Sequence, residues 1–123
     1  MTTAYWCVLA AGLLPYLATV TAKLGARFDN RHPREWLARQ TGFRARANAA
    51  QLNGFEAFPL FAAAVLVAHQ LGAPQPRIDT LALTFVAARL VYFGCYLADL
   101  HWLRSVAWFV AIGSAVAIFV TPA

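Results

Sequence analysis

Charge is scarce in this chain. Of its 123 residues 12% are charged and 61% hydrophobic, a balance too apolar for a water-soluble globule the size of one domain. Cysteine is nearly absent: Cys7 and Cys95 each lie inside an apolar run. Neither metal-ligand spacing nor a secreted disulfide pattern is present, so both read as small buried hydrophobes and no metal site is visible. No basic residue precedes the N-terminal run "MTTAYWCVLAAGLLPYLATVTA". That run is also longer than the apolar core of a secretory signal, and it reads as a retained membrane helix. There is no internal repeat and no low-complexity linker.

The charge that is present is concentrated. Seven of the ten Lys and Arg residues fall between Lys23 and Arg46, so the net +5 belongs largely to one loop. With apolar runs on both sides, this stripe is better explained by anionic lipid head groups and the positive-inside rule than by nucleic acid. About 20 helical residues cross the ~30 Å hydrocarbon core of a bilayer. Four segments reach that length: Ala4–Ala22, Phe43–Leu71, Ile78–Leu97 and His101–Thr121. "GAPQP" ends the second span, with Gly72 at the position after the helix. The intervening loop predicts a short amphipathic helix that starts at Pro33 and ends at Gly42, with Trp36 and Leu37 facing lipid or the bundle. "ADLH" makes the last two spans a tight hairpin. The expected fold is a single all-α domain over residues 1–123, an up-down membrane bundle of four helices. The charge bias puts loop 23–43 in the cytoplasm and both termini outside.

Three side chains then sit where lipid makes polarity expensive: Asn53, Glu56 and Arg89. A charge at mid-bilayer costs about 2.5–3.5 kcal/mol on insertion scales, so Glu56 and Arg89 should face each other or a polar cavity. Ten residues separate Glu56 from Arg46, and ten separate Arg89 from Asp99. At about 1.5 Å per residue both lie ~15 Å from the same surface. Arg89, Tyr92 and Tyr96 share one helix face. Arg104 and Ser105 open the fourth span, whose N-terminus favours an anion. Two readings fit each residue taken singly: interhelical glue or aromatic-belt anchoring, or one wall of a polar cleft that grows more basic toward the loop side. For the aligned set the cleft is favoured, with Arg89 counted among its ligand-binding residues and also the member that most readily reads as structural, as Glu56's counter-ion. Pro59 should bend the second span just past Glu56, and Pro15 could bend the first. Ala62–Ala64, Ala87–Ala88 and the Ala111/Ala115 pair suit close helix contacts.

The runs "RANAAQLNGFEAFPLFAAAVLVA" and "ARLVYFGCYLADLHWLRS" resemble the MAPEG superfamily of membrane proteins of eicosanoid and glutathione metabolism. The most specific parts are N-x-x-E-x-x-P on the second span and R-x-x-Y-x-x-x-Y on the third, and "FDNRHPREW" is similar to bacterial members. The resemblance implies a homotrimer in a bacterial inner membrane that binds glutathione between subunits and acts on a lipophilic electrophile as a transferase or peroxidase. Glutathione contacts would fall on Asn53, Glu56, Tyr92 and Tyr96, and Arg104 with Ser105 would stabilise the thiolate. One departure is Ala49, where glutathione-using members carry Arg. Arg46 would substitute for it, with Lys23 or Arg27 assisting. The alternatives are a non-catalytic protein of the same architecture and a small multidrug transporter. The transporter would need a carboxylate in the first span, which has none.

Overall fold

The computed structural model describes residues 1–123. Five helices form: α1 Thr3–Lys23, α2 Pro33–Ala38, α3 Gly42–Gln70, α4 Gln75–Leu97 and α5 His101–Val120. All but α2 are long and apolar enough to cross a membrane. Together they make a four-helix bundle of a multi-pass integral membrane protein.

Hydrogen bonds between helix ends establish the up-down topology. The start of α1 meets the end of α3 where Thr2 Oγ1 lies 3.0 Å from His69 Nε2. It meets the start of α4 where the Ala4 N–H donates to Asp79 Oδ1 at 2.8 Å. At the other end, Arg44 donates to the Leu24 carbonyl at 2.7 Å and Arg46 to the Leu97 carbonyl at 3.2 Å. Each arginine thus satisfies a carbonyl left open where α1 or α4 ends, beside the negative pole of that helix. One proton position on His69 follows from its partner. Nδ1 faces the Val65 carbonyl at 2.8 Å, which can only accept, so Nδ1 carries a proton.

α1 packs chiefly on α3 and α4 on α5, while α3 and α4 touch across the middle. Those two helices supply the central contact, Phe61 stacked on Phe85 with centroids 3.9 Å apart. Around them the core is mostly alanine, including Ala57, Ala64, Ala82, Ala111 and Ala115. Leu, Val and aromatic side chains such as Leu13, Leu66, Leu83, Val106 and Phe119 point outward. Small residues inside and large apolar ones outside is the arrangement a lipid solvent favours, because close backbone approach, rather than exclusion of water, holds the helices together. α1 and α3 approach closely at Gly54, where an added Cβ would lie 2.8 Å from Pro15 Cγ.

Cys7 and Cys95 are free and buried, and Leu37 is buried against Ala22 and Ala47 with Trp36 beside it. Gly72 has φ +71 just past α3, in the position expected for it. Three boundaries differ from expectation. α2 ends at Ala38 because side chains close it: Arg39 Nε donates to the Glu35 carbonyl at 3.3 Å and Gln40 Nε2 to the Trp36 carbonyl at 2.9 Å. Gly42 therefore does not end α2; with φ +62 it opens α3. α4 begins at Gln75 rather than Ile78, since Pro76 sits in the first turn, where no N–H donor is needed. α3 runs unbroken through Pro59.

Candidate functional site

The inward face of α3 is marked by Ala50, Ala57, Phe61 and Ala64. At about 100° per residue, Asn53 lies ~60° off the direction of Ala50 and Glu56 ~120° off it. Asn53 therefore turns toward α4 and is half-buried, while Glu56 emerges on the outer surface. The expected Glu56–Arg89 ion pair does not form. The only ion pair in the chain is Arg39–Glu35, at 3.7 Å. Equal depth along two helices did not imply equal azimuth, and Arg89 Nη1 donates instead to Asn53 Oδ1 at 2.8 Å.

That bond orients the amide. A guanidinium only donates, so Asn53 must present its oxygen to Arg89 and its NH2 outward. Asn53 Nδ2 accordingly faces Glu56 Oε2 at 3.4 Å. The buried cation, the amide and the exposed carboxylate form a chain of like-directed hydrogen bonds from bundle interior to surface. Arg89 is 4% exposed.

Aromatic faces support the cations. Arg89 lies 4.1 Å from the Tyr92 ring centroid and Arg104 4.4 Å from that of Tyr96. The two tyrosine rings meet edge to face at 5.5 Å. One turn of α4 thus positions two arginines from different helices through cation–π contacts. Above this layer, Asn53, Tyr92, Arg104, Ser105, Trp108 and Phe109 line an open pocket of ≈ 230 Å³. Asn53 comes from α3, Tyr92 from α4 and the others from α5.

Of the residues singled out from sequence, Asn53, Tyr92, Arg104 and Ser105 line the pocket itself. Tyr96 and Arg89 lie behind it as supports, and Glu56 stands beside it. Arg46 is elsewhere, engaged at the end of α4. Lys23 sits 3.9 Å from the Phe28 ring centroid. Ser105 Oγ donates to the His101 carbonyl at 3.1 Å, within its own helix, and must rotate to donate into the pocket. Trp108 and Phe109 were not singled out. Their signal was spacing, for each stands four residues beyond Arg104 or Ser105, one turn deeper on the same face.

The MAPEG family model matches residues 3–123, essentially the whole chain. The chain belongs to the MAPEG family. No curated protein and no solved structure matches it. Within this MAPEG protein the N-x-x-E and R-x-x-Y-x-x-x-Y motifs meet at one place. Asn53 joins the two through Arg89, and the second motif carries the wall and the support of the pocket.

Chemically, the pocket combines a fixed guanidinium, a hydroxyl, an outward-facing amide N–H and an adjacent carboxylate, with Trp108 and Phe109 as its apolar side. Positive charge exceeds negative, Arg89 and Arg104 against Glu56. Such a site suits an anion that also bears an amine or amide, next to an apolar group.

Proposed function

We propose that this MAPEG protein is a membrane-bound glutathione-dependent transferase or peroxidase that acts on lipophilic electrophiles. The observation that carries the reading is the convergence of Asn53, Tyr92, Arg104 and Ser105, from three helices, on one pocket. The donor set fits the tripeptide: Arg104 suits a carboxylate or thiolate, Asn53 Nδ2 a peptide carbonyl, and Glu56 an ammonium group. When bound, glutathione supplies a thiol nucleophile. A free thiol is only a few per cent ionised at pH 7. Arg104, held over Tyr96 at the N-terminal turn of α5, adds a cation and a helix pole that both favour the ionised sulfur. Each tenfold rise in thiolate requires about 1.4 kcal/mol of such stabilisation. Ser105 Oγ adds a second donor on rotating away from the His101 carbonyl. Trp108 and Phe109 give the electrophile an apolar approach from the bilayer.

The assembly proposed is a homotrimer in a bacterial inner membrane, with loop 23–43 on the cytoplasmic side. The exposure of Glu56 supports oligomerisation. A carboxylate at that depth on an outer helix surface is costly against lipid, and a neighbouring subunit or a hydrated cleft removes the cost. The test is titration of the detergent-solubilised protein with glutathione, reading heat and thiolate absorbance. Saturable binding is expected, and Arg104→Ala should lower the bound thiolate fraction at least tenfold. No binding at millimolar glutathione, together with no thiolate absorbance, would overturn the proposal.

One observation favours a second reading, a non-catalytic member of the family. Ala49 leaves no cation at its position, and Arg46 is committed to the Leu97 carbonyl. Intact assembly with no response of any ligand signal to Arg104→Ala is the outcome that reading requires.

A further inference from the structure

A second and much smaller cavity lies between α1, α3 and α4. Its volume is ≈ 20 Å³, and Ala11, Pro15, Gly54, Arg89 and Tyr92 are among its lining residues. Two polar deficits meet there. Arg89 is almost fully buried yet makes one hydrogen bond within the chain, to Asn53. A guanidinium has five N–H donors, so four have no protein acceptor. The second deficit arises in α1. Pro15 has no N–H, so the carbonyl of Ala11 loses the donor that an α-helix would supply four residues on. Both Ala11 and Pro15 line the cavity. Lipid cannot satisfy either group, and leaving a buried polar group without a partner is costly.

We infer that this cavity is a binding site for one ordered water molecule, which accepts from the Arg89 guanidinium and donates to the Ala11 carbonyl. Size and chemistry agree. About 10–15 Å³ of such space holds one water, which needs two to four polar partners, and no larger ligand fits. Tyr92, whose hydroxyl makes no hydrogen bond within the chain, belongs to the same lining. The water gives Pro15 a role different from a bend. By freeing a carbonyl on α1, the proline supplies an acceptor opposite the arginine on α4, and so ties α1 to the Arg89–Asn53–Glu56 chain. Gly54 closes the site from α3, since its missing Cβ lets Pro15 approach that helix. The inference concerns the bundle interior and does not depend on glutathione binding.

The test is a crystal structure of the full chain at a resolution that orders buried water, for the wild type and for Arg89→Met. A single peak within hydrogen-bond distance of both an Arg89 nitrogen and the Ala11 oxygen is expected in the wild type. That peak should be lost in Arg89→Met. A dry cavity in the wild type, or a peak that survives the substitution in place, would overturn the proposal. Should Arg89→Met fail to fold, wild-type protein labelled with 15N in bicelles gives an independent readout. A direct magnetisation-transfer cross-peak between water and the Arg89 Nε–H is expected, and its absence would refute the site.

Discussion

Asn53→Ala and Arg89→Met, made singly and together, test whether the buried bond at 2.8 Å organises the bundle. Neutral side-chain hydrogen bonds between membrane helices average about 0.6 kcal/mol and reach ~1.7. A bond to a charged group is worth about 1.5–3 kcal/mol. Removing one partner while a buried charge remains costs more, about 3–5 kcal/mol. Arg89 is nearly inaccessible, so Asn53→Ala leaves a guanidinium that cannot turn to bulk solvent. That variant should be the worse of the two, at about 2–4 kcal/mol, straddling the charged-bond and unpaired-charge values. Arg89→Met removes the charge with its partner bond and keeps most of the volume, so it should cost less. In the double variant the Asn53→Ala penalty should largely vanish, a coupling of about 1.5–3 kcal/mol. The assay is equilibrium unfolding in mixed micelles of rising denaturing-detergent fraction, followed by tryptophan fluorescence at constant protein concentration. A cost for Asn53→Ala at or below the neutral average, with no coupling, would refute the assignment of this bond as the organising polar contact.

Gly54→Ala forces a methyl group to within 2.8 Å of Pro15 Cγ, and overpacking of this kind should destabilise the bundle by about 1–3 kcal/mol; unchanged unfolding would show that α1 and α3 separate freely. Asp99 turns the chain between α4 and α5 at φ 60, with Leu100 N–H on the Cys95 carbonyl at 2.9 Å and Asp99 N–H on that of Tyr96 at 3.3 Å. A non-glycine residue pays about 1–2 kcal/mol there, so Asp99→Gly should raise stability by up to about 1 kcal/mol after its extra chain entropy is counted. Asp79 accepts from the Ala4 N–H and from Gln75 Nε2 at 2.7 Å. Asp79→Ala should cost about 0.5–2 kcal/mol, with faster hydrogen exchange at Ala4 as its local signature.

Element boundaries were legible wherever a local cause sets them. Gly72 needs a positive φ, and the four apolar runs have the length a bilayer requires. They failed where side chains finish a helix, as Arg39 and Gln40 do for α2. Depth was legible too, because helical rise is constant, and it placed Asn53, Glu56 and Arg89 within one turn of each other.

By itself the sequence determined that four spans exist, that Asn53, Glu56 and Arg89 lie within about one turn of a common level, and that the chain resembles the MAPEG family. Composition and periodicity carry that information along a single axis. Only the tertiary structure decided which neighbour each polar group faces. It placed Asn53 rather than Glu56 against Arg89, set Arg104 on Tyr96, and brought the Pro15 turn beside the buried guanidinium. Those pairings depend on the rotation and packing of each helix against the others, set by where alanine and glycine permit close approach, and no single helix contains them.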